Sequence, residues 1–189
     1  MKRILILFVL AAFTFACGNG GSDSKKEKTE KEPMSKEEML TEISKIEKDL
    51  EKNPENNYEG RAERLAKVLK SYADAYPQDS LAPEMLFKSA NVFITIKNYD
   101  RAVGTFNRIA KHYSDWIKVP ETVYMTGFVY DYHMNQKGRA KEYYEKVIDN
   151  YPDHVFAQEA RVAIQHLGKT DEELIEEFEA KNKAENKAS

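Results

Sequence analysis

The sequence predicts an all-α protein built as a stack of helical hairpins. One phrase occurs three times, as Tyr76-Pro77-Gln78-Asp79, Tyr113-Ser114-Asp115 and Tyr151-Pro152-Asp153, with its tyrosines 37 and 38 residues apart. The flanks keep the same step. Ala82-Pro83-Glu84 returns as Val119-Pro120-Glu121 and Ala157-Gln158-Glu159, while Leu65, Leu69 and Tyr72 align with Ala102, Phe106 and Ile109, then with Ala140, Tyr144 and Val147. Apolar residues recur at three- and four-residue steps, Gly and Pro are few, and no alternating run is flanked by hairpin turns. A period between about 20 and 50 residues marks a repeat array, in which each unit buries its apolar face only against its neighbours.

Taken in order, the chain opens on Met1-Lys2-Arg3 and an apolar run over residues 4–15. That run is shorter than the roughly 20 residues a bilayer span needs, and it suits a secretory signal. Ala16 and Cys17 follow, then Gly18, Asn19, Gly20 and Gly21. This junction resembles a bacterial lipoprotein signal over 1–16, with Cys17 as the first mature residue and the site of lipidation. A plain secretory signal cut after Ala16 is the alternative. Cys17 is the single cysteine, so an internal disulfide is impossible. One acyl chain holds a protein only marginally, and stable anchoring takes two or more. The two or three chains the resemblance implies would anchor the protein without spanning.

Residues 17–34 are Gly/Ser followed by a Lys/Glu run, which buries too little apolar surface to order itself. They read as a disordered tether, with a flexible-coil span of about 20–25 Å. The repeat domain is expected over 35–183. Ser35-Lys36-Glu37-Glu38 is a capping box, followed by the stripe Leu40, Ile43, Ile46 and Leu50. A turn over 53–57 leads to a helix near 58–76. Further helices are expected near 81–96, 99–113, 119–134, 137–150 and 154–167. Thr170-Asp171-Glu172-Glu173 opens a short last helix anchored by Leu174 and Phe178, and residues 184–189 are expected to fray.

The helix pair resembles a tetratricopeptide repeat in a slightly lengthened form. That motif sets a small residue where two helices cross, an aromatic a turn later, then an alanine and an aromatic in the second helix. Ala90, Phe93, Ala102 and Phe106 fit it once, and Gly127, Tyr130, Ala140 and Tyr144 fit it again. The resemblance implies a right-handed tetratricopeptide-type helical-hairpin solenoid whose first helices line a groove for a peptide. Carried over residue by residue, the groove positions are Glu84, Phe87, Asn91 and Ile94 in one repeat and Glu121, Tyr124, Phe128 and Asp131 in the next. Phe87, Tyr124 and Phe128 can equally pack between repeats or onto the N-terminal hairpin. Trp116 can tuck under its turn or stand as a contact point.

A lipid-anchored stack of this kind is similar to envelope tetratricopeptide lipoproteins. Among these are the repeat lipoprotein of the outer-membrane β-barrel assembly machinery and the repeat domain that accompanies the Tol–Pal system. The resemblance holds at the level of the group, since the chain has fewer repeats than the first and no N-terminal coiled coil as in the second. It implies a non-enzymatic scaffold for an envelope protein or peptide segment, at the outer membrane and facing the periplasm or the cell surface. A periplasmic chaperone or pilot protein that captures secreted or unfolded chains is the rival reading. An envelope enzyme is a further one.

Little else in the chain calls for chemistry. Charged residues make up 32% yet the net charge is -3, so no basic stripe is offered to nucleic acid. His112, His133, His154 and His166 share no metal-ligand spacing and read as surface or capping residues. Glu172, Glu173, Glu176 and Glu177 read as compensation of a helix dipole. No phosphate-cradling glycine loop or nucleophile elbow occurs. No catalytic residue, metal, cofactor or small-molecule substrate is expected.

Overall fold

The computed structural model describes residues 34–188. The signal sequence expected over 1–16, the lipidation expected at Cys17 and all but Met34 of the expected tether lie outside the described residues. Those residues form α1 (Lys36–Lys52), α2 (Tyr58–Ala75), α3 (Ala82–Thr95), α4 (Tyr99–His112), α5 (Val119–Phe128), a π-helical turn (Val129–His133), α6 (Lys137–Asn150), α7 (Val155–His166) and α8 (Asp171–Ala188). No strand occurs among them. The helices follow one another as a helical-hairpin solenoid, each of α2 to α6 packing on the helices before and after it in the chain, and α7 on α6.

Local sequence chemistry sets the helix ends. Ser35 Oγ accepts from the Glu38 N–H at 3.3 Å, and the Ser35 N–H donates back to the Glu38 carboxylate at 2.7 Å. Thr170 and Glu173 make the same reciprocal pair at 3.2 and 2.8 Å. Each box satisfies donors that a bare helix start would leave open. Pro83 and Pro120 stand in the first turns of α3 and α5, where a missing N–H costs nothing.

The repeated phrase encodes a repeated backbone. Tyr76, Tyr113 and Tyr151 close α2, α4 and α6 in nearly the same geometry, each N–H donating to the carbonyl four residues back at 2.9–3.0 Å. Two further turns follow each time, from Asp79 N–H to Tyr76 O and Ala82 N–H to Asp79 O, and likewise at 113–119 and 151–157. The side chains at the turn diverge. Asp79 accepts from the Leu81 N–H at 2.8 Å, and His154 Nδ1 accepts from the Phe156 N–H at 3.3 Å. Trp116 occupies the middle position, has no such acceptor, and packs its ring instead.

Packing follows the aligned positions. Leu65, Leu69, Tyr72, Ala102, Phe106, Ile109, Ala140, Tyr144 and Val147 are all buried, as the register requires. In α1 the buried stripe is Met39, Ile43 and Ile46, with Leu40 and Leu50 only partly covered. Ala90 and Gly127 mark the helix crossings. A Cβ added at Gly127 would lie 2.8 Å from the Tyr144 ring, so only hydrogen fits there.

The step from 37 to 38 residues has a structural cause. Asn98 N–H donates to Phe93 O at 2.8 Å, and Gln136 N–H donates to Tyr130 O at 2.7 Å. These turns are equivalent, yet the second spans one residue more. The extra residue is absorbed by the π-helical turn, a common form of single-residue insertion in an α-helix. α8 is longer than its two apolar anchors suggest and runs through Ala188. Ile175 and Phe178 remain more than half exposed on it.

Candidate functional site

Two helices and the π-helical turn carry the groove positions, and each helix gathers its own surroundings. On α3, Glu84 pairs with Lys118 at 3.0 Å. The Lys118 ammonium also stands 5.3 Å from the Phe87 ring centre and 5.7 Å from that of Trp116. Phe87 meets Trp116 edge-on at 5.7 Å and Phe106 at 5.6 Å. Trp116 is therefore tucked against the core, with its neighbour Ile117 83% exposed. Asn91 Nδ2 donates to the Phe87 carbonyl at 3.0 Å, and Ile94 packs on the core edge. The α3 positions are thus largely occupied by the fold's own contacts.

On α5 and the π-helical turn the rings form a row at four-residue steps. Tyr124 is half-buried between Tyr144 at 5.4 Å and Phe156 at 5.1 Å, so it bridges to both α6 and α7. Burial pushes its hydroxyl pKa up, assisted by the nearby Glu159 carboxylate. Phe128 stacks on Tyr132 at 4.7 Å and meets His133 edge-on at 5.6 Å. His133 in turn stacks on Tyr99 at 4.8 Å. Tyr132 is 70% exposed, and Glu121 is half-buried a turn before Tyr124.

Asp131 lies beneath this row. It is 7% exposed, with Lys137 Nζ at 2.6 Å from one carboxylate oxygen and the Tyr144 hydroxyl donating to the other at 3.3 Å. Burial pushes the Tyr144 hydroxyl pKa strongly up, and the Asp131 charge adds to it. A phenol kept protonated donates dependably to a carboxylate. The π-helical turn sets this arrangement: its added residue leaves Tyr132 outside and Asp131 inside.

Tyr132, His133 and Tyr99 were not among the sequence-derived positions. The 124–128–132 spacing carried the signal for Tyr132, but the one-residue offset between repeats hid it. Of the other histidines, His154 caps α7 and stacks on Phe156 at 5.6 Å, His166 lies 5.7 Å from Phe178, and His112 is exposed at the end of α4. Among the C-terminal acids, Glu173 belongs to the capping box and Glu177 pairs with Lys169. Among the described residues no three His, Cys, Asp or Glu side chains are grouped to hold a metal ion. No described helix is long and apolar enough to cross a membrane.

Comparison with known families bears on the same helices. The tetratricopeptide repeat family matches residues 84–115 and 121–154, which are the α3–α4 and α5–α6 hairpins with their following turns. No curated protein matches the chain.

Proposed function

From two tetratricopeptide repeats within a longer stack of helical hairpins, we propose that this protein is a non-enzymatic scaffold for protein–protein interaction in the bacterial cell envelope. Repeats of this family generally serve to bind protein segments, and the hairpins here offer a surface for one. The observation that carries the reading is the row Tyr124, Phe128 and Tyr132, whose outermost ring is 70% exposed yet held by stacking on Phe128. A ring that is both exposed and pre-positioned contributes apolar area to a partner at small entropic cost. Glu121 at the head of the row would favour a partner with a basic residue there.

Anchoring belongs to the same proposal. The basic start, apolar run and lone Cys17 support lipid attachment at the outer membrane, and a tether of the length of 17–34 would hold the stack near that surface. A role in outer-membrane biogenesis or maintenance fits a scaffold so placed.

A photo-crosslinking side chain placed at Tyr132 in growing cells tests the partner half. One dominant adduct is expected, absent when the probe sits at Glu142 and absent from a Phe128→Ala background. Adducts spread over many proteins would favour the chaperone reading instead, and no adduct at Tyr132 would sink both. Metabolic labelling with an alkyne fatty acid tests the anchor: label should appear in wild type and vanish in Cys17→Ser.

A further inference from the structure

Between α2 and α4, away from the Tyr124–Phe128–Tyr132 row, lies a half-open cavity of about 380 Å³. Phe93 lies at its base, only 2% exposed, with the Arg101 guanidinium over it at 5.5 Å from the ring centre. Two ion pairs tie the helices across it, Glu63 to Arg101 at 3.1 Å and Asp74 to Arg108. Lys67 and Lys70 line it from α2 and pair along their own helix with Glu63 at 3.0 Å and Asp74 at 2.9 Å. Four cations thus stand against two carboxylates, a local positive excess in a chain whose net charge is -3.

The next groove along the stack shows what belongs in such a place. There Tyr130 takes the position of Phe93, and Arg139 lies 5.4 Å from its ring as Arg101 does from Phe93. Tyr143 fills the space above. Its ring lies 5.5 Å from Tyr130, its hydroxyl donates to Asn107 at 2.9 Å, and Lys146 Nζ covers it at 4.2 Å. The residue equivalent to Tyr143 in the α2–α4 groove is Thr105, which brings no ring. Its neighbour Gly104 brings no side chain, and a Cβ added there meets nothing within 4 Å. The cavity that remains between α4 and α6 lies toward Tyr151, with Tyr143 as one of its walls. The α2–α4 groove therefore lacks a ring that the chain itself supplies one repeat later.

We propose that this cavity receives an aromatic side chain of a protein segment in which that residue is flanked by carboxylates. The ring enters beside Arg101, at the place Tyr143 takes one repeat later, and the flanking acids meet Lys67 and Lys70. The volume suits one side chain, being near the lower end of the roughly 300–1,000 Å³ typical of ligand sites. Cation-on-ring contacts and packing on the aliphatic stems of the lining Lys and Arg side chains hold the ring, and the charge excess selects an acidic segment over a basic one.

The test uses the full chain labelled with ¹⁵N and titrated with acetyl-Asp-Asp-Phe-Glu-amide. Saturable shifts are expected at the amides of Lys67, Lys70, Gly104 and Thr105. Affinity should fall at least fivefold when the peptide's Phe becomes Ala, or when its acids become Asn and Gln. Gly104→Leu, which fills the cavity and removes no charge, should abolish the shifts. Lys67→Gln/Lys70→Gln should weaken binding at least fivefold and carries the test if Gly104→Leu does not fold. The proposal is overturned if no saturable shifts appear on this face, or if they persist in a folded Gly104→Leu chain. It is also overturned if the Ala peptide or inorganic phosphate binds as tightly as the Phe peptide. A Phe128→Ala/Tyr132→Ala chain should bind the peptide as wild type does, so failure here is distinct from failure of the α5 row.

Discussion

Gly127 and Gly104 show how differently one residue type can be constrained within a single stack. At Gly127 an added methyl would press on the Tyr144 ring at 2.8 Å and on the Ala140 carbonyl at 3.3 Å, in a buried crossing that has no room to yield. Gly127→Ala should therefore destabilise by about 1–3 kcal/mol, the range for overpacking a core. Gly104 is exposed and open, and a helical glycine costs about 0.5–1 kcal/mol relative to alanine. Gly104→Ala should stabilise by about that much, and urea midpoints of the two variants should move in opposite directions. Asp79 offers a test in pH. The Lys36 ammonium, then the Leu81 N–H, hold its carboxyl below the usual carboxylate range. A depressed folded pKa gives stability that is present above the unfolded value of about 4 and lost as pH falls through the folded one. Melting temperature should thus drop on acidification below about pH 4 less steeply in Asp79→Asn than in wild type; equal slopes would discard the assignment.

At the scale of elements, the π-helical turn joins sequence spacing to the candidate site. Its extra residue leaves Asp131 buried, dependent on Lys137 and the Tyr144 hydroxyl. Removing one partner of such a pair strands a charge, whereas removing both can be nearly neutral. Because Lys137 is 43% exposed, Lys137→Met should cost only about 1–2 kcal/mol, discounted from the several kcal/mol of a fully buried pair. Asp131→Asn/Lys137→Met should recover most of that loss, and a double-mutant cycle by denaturation measures it. The ends of these elements were legible from sequence because they are local. The Ser35 and Thr170 boxes and the three tyrosine caps need only residues within four positions of one another. The groove was less legible. Asp131 was carried over from the position of Ile94, a shift of 37, although the turn inserts its residue just beyond Tyr130. Phe87 reads as a groove ring until Trp116 and Lys118, about thirty residues later, are seen to cover it. No local pattern contains that neighbour.

For the whole molecule, stability in a linear stack is a sum of units and of the interfaces between successive units, with no contact linking the two ends. The central helices have neighbours on both sides and hold most of the largest buried side chains, Leu86, Phe106, Ile109, Val119 and Tyr144 among them. α8 has far less to hold it. Its Phe178 lies 5.7 Å from His166, its Glu177 pairs with Lys169, and Ile175 and Phe178 are mostly exposed. Local opening should therefore be graded along the chain rather than uniform. Amide hydrogen exchange is expected to show protection near the global limit in α3 to α6, intermediate protection in α1, α2 and α7, and the fastest exchange in α8. Deleting residues 171–189 should leave protection in α3 to α6 unchanged and lower the melting temperature by no more than about 2–4 °C, the shift expected for about 1 kcal/mol at this size. Uniform protection, or a loss in α3 to α6 on that deletion, would show coupling across the stack that nearest-neighbour packing does not supply. The gradient also bears on binding. The aromatic row and the α4 wall of the α2–α4 cavity both sit in the stretch expected to open last, where side chains stay positioned before a partner arrives.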